Sequence, residues 1–138
     1  MRGSAIGILC WLFTANVVAC SCLLLPYEID AEDIANFKFE RSGVVFVGRV
    51  DSIVQIDEHV SEARITVLQS FKGINEKIIT MRQNTCPSLL IKRMAEVLIY
   101  ADKNSDGILK SPKACWESMV GTKETEREIG LLNKIRNI

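Results

Sequence analysis

The chain has 138 residues, which is enough for one domain of ordinary size. Its 48% hydrophobic and 25% charged residues form a typical globular composition. Because 17 basic residues balance 17 acidic ones, no strong electrostatic field attracts the chain to nucleic acid or to an anionic membrane. The composition therefore favours a single globular domain and argues against a strongly basic nucleic-acid-binding protein.

The first residues, MRGSAIGILCWLFTANVVA, have the pattern of a secretory signal peptide, with an early arginine and a short apolar segment. Val17 and Ala19 place small residues where signal peptidase reads them, so we expect cleavage after Ala19. The apolar segment is too short to span a bilayer, and Asn16 interrupts it. We therefore predict a signal peptide over residues 1–19 and a secreted domain over residues 20–138, extracellular or, in a bacterium, periplasmic.

Cleavage after Ala19 leaves an even number of cysteines, which are Cys20, Cys22, Cys86 and Cys115. An even number in an exported chain favours disulfides. Structural zinc sites use pairs of cysteines about two to four residues apart. This chain has a single close pair, with one residue between its members, so disulfides are favoured over a zinc site of four cysteines.

A second interpretation of the same region is a bacterial lipobox ending at Cys20, in which the cysteine thiol is joined to lipid. A lipidated Cys20 cannot pair with Cys86, which would then be a lone thiol. The even number of cysteines favours a free N-terminus, but both alternatives stay open on the sequence alone.

Beyond Pro26 the residues predict, in chain order, a helix, five strands and a second helix. Asp30 is placed to cap a first helix over residues 31–37. Val and Ile content, alternation and flanking turns predict strands at 43–56, 62–73, 76–84 and 95–102, with a short strand or extended segment at 108–115. Residues 122–138 predict the closing helix, in which Thr125 and Glu128 have the spacing of a capping box.

Gly48 lies inside the long first strand and predicts a bulge or a sharp bend. Five short strands, with a glycine where the first must bend, are typical of a small closed Greek-key barrel. We therefore predict a mainly β fold, a five-stranded barrel flanked by a short N-terminal helix and a C-terminal helix.

The order of these motifs resembles the N-terminal domain of the tissue inhibitors of metalloproteinases, a netrin-like module with an OB-type barrel. The resemblance is carried by CSC at the expected mature N-terminus and by VVFVGRV, SFKG, EVLIYADK and KACWES. It implies disulfides Cys20–Cys86 and Cys22–Cys115, which would attach the N-terminal ribbon to the barrel. The chain departs from the family in lacking the cysteines of a third bridge, in its short DEHVSE loop and in lacking the C-terminal domain of the animal inhibitors.

In this family the first residue chelates the catalytic zinc of the target protease through its α-amine and its carbonyl oxygen. The resemblance therefore implies an inhibitor of zinc metalloendopeptidases, not an enzyme and without a cofactor, in which Cys20 binds the zinc of the target. Further residues that the resemblance places against the protease are Ser21, Cys22, Leu23, Leu24, Asn84 and Thr85.

We expect the protein to be a monomer with no nucleic-acid partner, and with no membrane attachment unless Cys20 is lipidated. The alternative that stays open is a netrin-like module that binds another protein and inhibits no protease.

Residues 102–107, DKNSDG, resemble the start of a calcium loop, but Lys113 stands where such a loop needs a glutamate. A polar turn is therefore favoured. His59 is the only histidine, which argues against a catalytic triad or a zinc enzyme.

In the closing helix, Glu126 and Glu128 are expected on a solvated face. Trp116 directly follows Cys115, so we expect it to pack against a disulfide.

Overall fold

The computed structural model describes residues 29–84, 93–109, 116 and 118–138. Within these ranges a helix, five strands and a second helix follow one another, as predicted. The elements are α1 (Ala31–Glu40), β1 (Val44–Gln55), β2 (Val60–Lys72), β3 (Ile78–Asn84), β4 (Glu96–Ala101), β5 (Ser118–Met119) and α2 (Lys123–Arg136). Neither described helix combines the length and the apolar character that crossing a bilayer requires.

The five strands form one antiparallel sheet in the order β3-β2-β1-β4-β5. Strand β1 pairs with β2 along most of its length and with β4 along its first half. The continuous apolar run in β4 predicts burial on both faces, and residues 97–101 are indeed fully buried. The prediction of a mainly β fold is confirmed.

The strand beside β4 differs from the prediction. The sequence places a fifth strand or extended segment at 108–115, whereas the fifth strand of the sheet is Ser118–Met119, which pairs with β4 on the edge opposite to β1. Of the predicted segment only residues 108 and 109 are described, and Leu109 forms isolated bridges, parallel to Met81 and antiparallel to Lys103. A strand of two residues shows no alternation, so the sequence pattern has no means of finding it.

Register shifts between β1 and β2 bend the long first strand, and one lies at Val47/Gly48, as predicted. A Cβ atom at Gly48 would lie 2.4 Å from the Cγ2 atom of Ile65, so only glycine lets the two strands approach here. A second shift, between Val50 and Ser52, leaves Asp51 without an opposite residue in β2.

Two buried clusters lie on opposite faces of the sheet. The apolar core comes only from strands and the loops between them, and its members are Val44, Phe46, Val50, Ala63, Ile65, Ile74, Met81, Ala95, Val97, Ile99, Ala101 and Leu109. The helix-side core joins the other face to the two helices, and its members are Val45, Val47, Phe71, Leu98, Tyr100, Trp116 and Leu132, with Phe37, Phe39, Val120, Ile129 and Ile135 packed against them. Successive strand residues point to opposite faces, so neighbours in β1 and β4 belong to different cores.

Both helices differ from the prediction at their ends. Helix α1 continues three residues further than predicted, and the Lys72 ammonium donates a hydrogen bond of 2.8 Å to the carbonyl of Phe39 in its last turn. The N-cap of α2 is Thr122, whose side chain accepts a hydrogen bond of 3.3 Å from the backbone N–H of Thr125. The predicted capping box of Thr125 with Glu128 is therefore wrong, because Thr125 is the donor and lies within the first turn.

Candidate functional site

Of the predicted site residues, only Asn84 belongs to the described part of the chain. It is the last residue of β3 and is paired with Val60, the first residue of β2. The remaining predictions lie outside the described residues, and they concern Cys20, Ser21, Cys22, Leu23, Leu24, Thr85, Cys86 and Cys115.

The strand that carries Asn84 is hydrogen-bonded on both of its edges. On one side it pairs with β2. On the other side the N–H of Arg82 donates to the carbonyl of Leu109 at 3.2 Å, and the N–H of Leu109 donates to the carbonyl of Thr80 at 3.3 Å. The backbone that leads to Asn84 is therefore restrained by two neighbours, which limits fraying at the end of β3.

Side chains on both faces also hold the end of β3. Gln83 is 5% exposed, and its amide donates to the hydroxyl of Ser61 at 2.9 Å, while on the other face Arg82 contacts Glu62 at 3.2 Å. The Oε1 atom of Gln83 is buried and accepts no hydrogen bond from the part of the chain that the structure describes. Polar groups are rarely buried without a hydrogen-bond partner, so the buried Oε1 atom is an unusual feature of this end of the strand.

The hairpin between β1 and β2 adjoins Asn84 through Val60. It is closed by Asp57, whose carboxylate accepts from the backbone N–H groups of His59 at 2.7 Å and Val60 at 2.9 Å. The only histidine thus contributes a backbone N–H to a turn. Ile56, at the start of the turn, is 52% exposed and leaves an apolar side chain beside the strand end.

Trp116 is a buried residue that directly follows Cys115, one of the predicted bridging cysteines, in the sequence. Its indole is 4% exposed and lies edge-on to Phe37 of α1 and Tyr100 of β4, with ring centroids 6.0 Å and 6.1 Å away. Edge-to-face contacts at this separation are favourable. The expectation that Trp116 packs against a disulfide stays a prediction, because the cysteines lie outside the described residues.

A polar group is attached to this aromatic cluster. The Tyr100 hydroxyl donates to a carboxylate oxygen of Glu128, and the Lys38 ammonium contacts the same oxygen at 2.8 Å. The expectation that Glu128 lies on a solvated face is wrong, since its side chain is 18% exposed. Burial, and then the adjacent carboxylate of Glu128, raise the pKa of Tyr100 far above its ordinary range.

Nothing in the helical periodicity of α2 distinguishes Glu128 from the exposed Glu126, since both fit a polar position of an amphipathic helix. What distinguishes them is the tyrosine in the middle of an apolar strand. A buried tyrosine usually needs a hydrogen-bond partner for its hydroxyl, and that requirement is the signal that sequence reasoning missed.

Asp51 lies in the β1 bulge and accepts several hydrogen bonds that the sequence did not predict. Its carboxylate accepts hydrogen bonds from the Thr66 hydroxyl and from Arg49 at 3.2 Å, and its carbonyl accepts from Arg93 at 3.2 Å. The Thr66 hydrogen bond and the neighbouring arginines Arg49 and Arg64 hold the pKa of Asp51 below its ordinary value. The contacts depend on a register shift, which no local pattern reveals.

Residues 102–107 form a turn, as predicted. The N–H of Asn104 donates to the carbonyl of Ile108 at 3.0 Å, and the N–H of Gly107 donates to the carbonyl of Asn104 at 3.1 Å. Gly107 has a φ of 80°, which glycine adopts without strain. In residues 29–84, 93–109, 116 and 118–138, no three His, Cys, Asp or Glu side chains are grouped as a metal site requires.

No protein-family model matches the chain, and no curated protein matches it either. A functional assignment therefore depends on the residues themselves and on their geometry.

Proposed function

We propose that the chain is a secreted inhibitor of zinc metalloendopeptidases, built on a closed OB-type barrel of the netrin-like kind. In this proposal the mature chain begins at Cys20, whose α-amine and carbonyl oxygen together bind the zinc of the target. They displace the water that would otherwise attack the substrate. The protein has no catalytic residue of its own and carries no metal.

The single observation that supports this proposal most strongly is the pairing of Leu109. It bridges to Met81 in β3 on one side and to Lys103, just after β4, on the other. In the sheet, β2 and β1 are adjacent, β3 lies beyond β2, and β4 lies beyond β1. A short strand at Leu109, parallel to β3 and antiparallel to β4, would join with β1 to β4 to close a five-stranded barrel, and the apolar core would be its interior.

The positions of the cysteines in the sequence support the inhibitory ribbon. Cys86 follows Asn84 by two residues, and Cys115 immediately precedes Trp116. Asn84 ends a strand that is paired on both edges, and Trp116 is buried against two rings. Bridges from Cys20 and Cys22 to these two cysteines would therefore attach the ribbon to well-restrained points of the fold.

A restrained ribbon has a direct energetic advantage for an inhibitor. The two bridges would each close a long loop, which in the chain-entropy model contributes about 4 to 5 kcal/mol to the stability of the fold. A ribbon that is already ordered loses little conformational entropy when it enters a protease groove. In this proposal Ser21, Leu23 and Leu24 contact the groove on one side of the zinc, and Asn84 and Thr85 contact it on the other.

The chemistry of the amine provides a pH test. An α-amino group ordinarily titrates at about pH 7.7 to 8.0 and must be neutral to bind a metal ion. Inhibition should therefore weaken as the pH falls below about 7. The control is a small chelating inhibitor of the same protease whose groups do not titrate in this range, and equal potency of the chain at pH 8 and pH 5.5 would contradict amine chelation.

The decisive experiment compares three chains against a panel of zinc endopeptidases. The first begins at Cys20, the second carries one extra alanine before Cys20, and the third carries the alanine after Ile138. We expect the first and third to inhibit and the second to lose inhibition, because a peptide nitrogen is a poor metal ligand. Equal inhibition by all three chains overturns the zinc-binding role of the amine, and inactivity of all three favours the protein-binding module.

The natural N-terminus is tested independently by mass spectrometry of the exported protein. A free Cys20 that is disulfide-bonded to Cys86 agrees with the proposal. Lipid on the Cys20 thiol contradicts it and identifies a lipoprotein instead.

A further inference from the structure

Three guanidinium groups surround Asp51 at the bulge in β1. Arg49 donates a hydrogen bond to its carboxylate and Arg93 donates one to its carbonyl, each at 3.2 Å. Arg64 of β2 pairs with Ser52, the residue after Asp51, and its charge also acts on the carboxylate. One carboxylate therefore faces three positive charges and cannot neutralise all of them.

The Arg64 side chain has the most unused hydrogen-bonding capacity of the three. Its neighbours in β2, Ala63 and Ile65, both belong to the apolar core, so Arg64 points away from that core and is exposed. Within the part of the chain that the structure describes, its guanidinium donates no hydrogen bond. The planar fork of N–H donors on a guanidinium matches a carboxylate, so Arg64 is open to an acidic group from another molecule.

Met94 adds an apolar side chain and a strained backbone at the same place. It is 62% exposed, and its φ of 66° lies in the left-handed region that residues with a side chain seldom adopt. Two hydrogen bonds hold this conformation, because the N–H of Met94 donates to the carbonyl of Val50 at 2.7 Å and the N–H of Val50 donates to the carbonyl of Ala95 at 2.9 Å. Glycine would avoid the strain, so an exposed methionine here points to a use for its side chain.

The surroundings of these residues carry both signs of charge. Glu96 of β4 pairs with Arg49, and Glu62, two residues before Arg64, contacts Arg82 at 3.2 Å. Such carboxylates repel a uniformly charged polyanion more strongly than a protein segment with a few acidic residues. Arginine and methionine are also enriched at protein–protein interfaces. The mixture therefore favours a protein ligand over nucleic acid or a sulfated polysaccharide.

We propose that the bulge surface, which consists of Arg49, Asp51, Arg64, Arg93 and Met94, binds an acidic segment of a partner protein. In the complex, Arg64 binds a carboxylate of the partner through both arms of its guanidinium, and Met94 packs on an apolar side chain beside that carboxylate. This inference goes beyond the proposed function, because no residue assigned to zinc binding or to the protease groove belongs to the bulge surface.

The test selects ligands for the full mature chain from a random library of displayed peptides. We expect the selected peptides to carry acidic residues beside an apolar one. A synthetic copy should shift the backbone NMR signals of Arg64 and Met94 in a saturable way. Raised salt should weaken its binding, because exposed charges are screened.

Two matched substitutions test the charge. Arg64→Glu should weaken binding of the selected peptide about tenfold or more, because a charge-assisted contact becomes a repulsion. Arg127→Glu makes the same charge change at an exposed position of α2, and in the described ranges its guanidinium likewise donates no hydrogen bond. This control should leave the affinity unchanged.

Met94→Gly separates binding from stability. Because glycine adopts a positive φ without strain, this variant should unfold at a higher urea concentration than the wild type. It should nevertheless bind the selected peptide more weakly, since the apolar side chain is gone. A variant that binds as tightly as the wild type contradicts the role of the methionine.

The inference is overturned if no acidic peptide is selected, if the shifted NMR signals belong to another surface, or if Arg64→Glu and Arg127→Glu weaken binding equally. A chain that binds a heparin fragment or a DNA oligonucleotide at these residues, and no acidic peptide, overturns it as well. Should Arg64→Glu prevent folding, Arg64→Gln removes the charge alone and should weaken binding in the same direction. Failure of the proposed function has a different signature, because a chain that inhibits no protease but binds the peptide through Arg64 supports the bulge surface.

Discussion

The two cores on opposite faces of the sheet are built from different kinds of side chain. Among the described residues, the apolar core is formed by hydrophobic side chains from strands and their loops. The helix-side core contains aromatic rings, and the Lys38, Tyr100 and Glu128 contacts join its helices to β4. The first is bounded by strands that share backbone hydrogen bonds, and the second by helices that are held through side chains. Because strands that share backbone hydrogen bonds shift less readily than helices joined through side chains, we expect the apolar core to relax less than the helix-side core around a shortened side chain.

The largest effect is expected from a pair of neighbours in β4 that belong to different cores. Leu98 and Ile99 are both fully buried. We expect Ile99→Ala to cost about 4 to 5 kcal/mol and Leu98→Ala about 2 to 3 kcal/mol, because the helices can move into the space that Leu98 leaves. Denaturant unfolding measures both values. A cost for Leu98→Ala that equals or exceeds that for Ile99→Ala removes the distinction between the cores.

A second pair of changes compares two glycines. Gly48→Ala should cost about 1 to 3 kcal/mol, because the new methyl group overlaps Ile65 at the edge of the apolar core. Gly130→Ala, in the exposed interior of α2, should instead stabilise the protein by about 1 kcal/mol, since no atom beyond the neighbouring backbone of the helix itself lies within 4 Å of its Cβ position. Thermal unfolding of the two variants would contradict the description of β1 if Gly48→Ala were neutral.

Alkaline pH tests the polar part of the helix-side core. The folded state raises the pKa of Tyr100, so the neutral phenol is favoured in the fold and its contribution is complete below about pH 10, the ordinary tyrosine pKa. As the pH rises above that value, the unfolded chain ionises first, and stability should fall by about 1.4 kcal/mol per pH unit. Urea unfolding between pH 8 and pH 11 should show this loss in the wild type.

The control for this experiment is Tyr100→Phe, which keeps the ring beside Trp116 and removes the ionisable hydroxyl. Its free energy of unfolding should be lower at pH 8, because Glu128 loses a donor, but should decline less between pH 10 and pH 11. An identical decline in both proteins means that other groups cause the alkaline loss.

The smallest effect concerns the bulge at Asp51. The Thr66 hydroxyl lowers the pKa of this carboxyl, so the ionised form is favoured in the fold, and its contribution is present at neutral pH and lost as the pH falls below about 4. Thr66→Val should move the pKa of Asp51 up towards its ordinary value. An NMR titration measures the change. The control is Thr80→Val, which removes a hydroxyl from the neighbouring strand β3 and should leave the pKa of Asp51 unaltered.

Much of the fold follows from local patterns in the sequence. Val and Ile content, alternation and flanking turn residues predict β1 to β4 nearly at their observed bounds, and the turn at 102–107 is predicted from its composition. Of the candidate site, only Asn84 falls within the described residues, and its position at the end of β3 agrees with the predicted strand. The zinc-binding role and the disulfides stay predictions.

The errors share a cause. The sequence predicts that Thr125 caps α2 and that Glu128 lies on a solvated face, whereas Thr122 caps the helix and Glu128 accepts a hydrogen bond from Tyr100. Each error concerns a polar side chain whose partner depends on the exact helix start or on a distant strand. Local spacing restricts the candidates for such partners but does not select among them.

The sequence by itself determined where β1 to β4 and the two helices lie and which strand is buried on both faces. These properties depend on the period of apolar residues and on turn residues a few positions apart. Only the tertiary structure decided that Leu109 meets both Met81 and Lys103, that Asp51 lies in a bulge, and that Trp116 packs between α1 and β4. The physical reason is that contacts between distant residues depend on sheet register and curvature, which arise when the whole sheet packs its core.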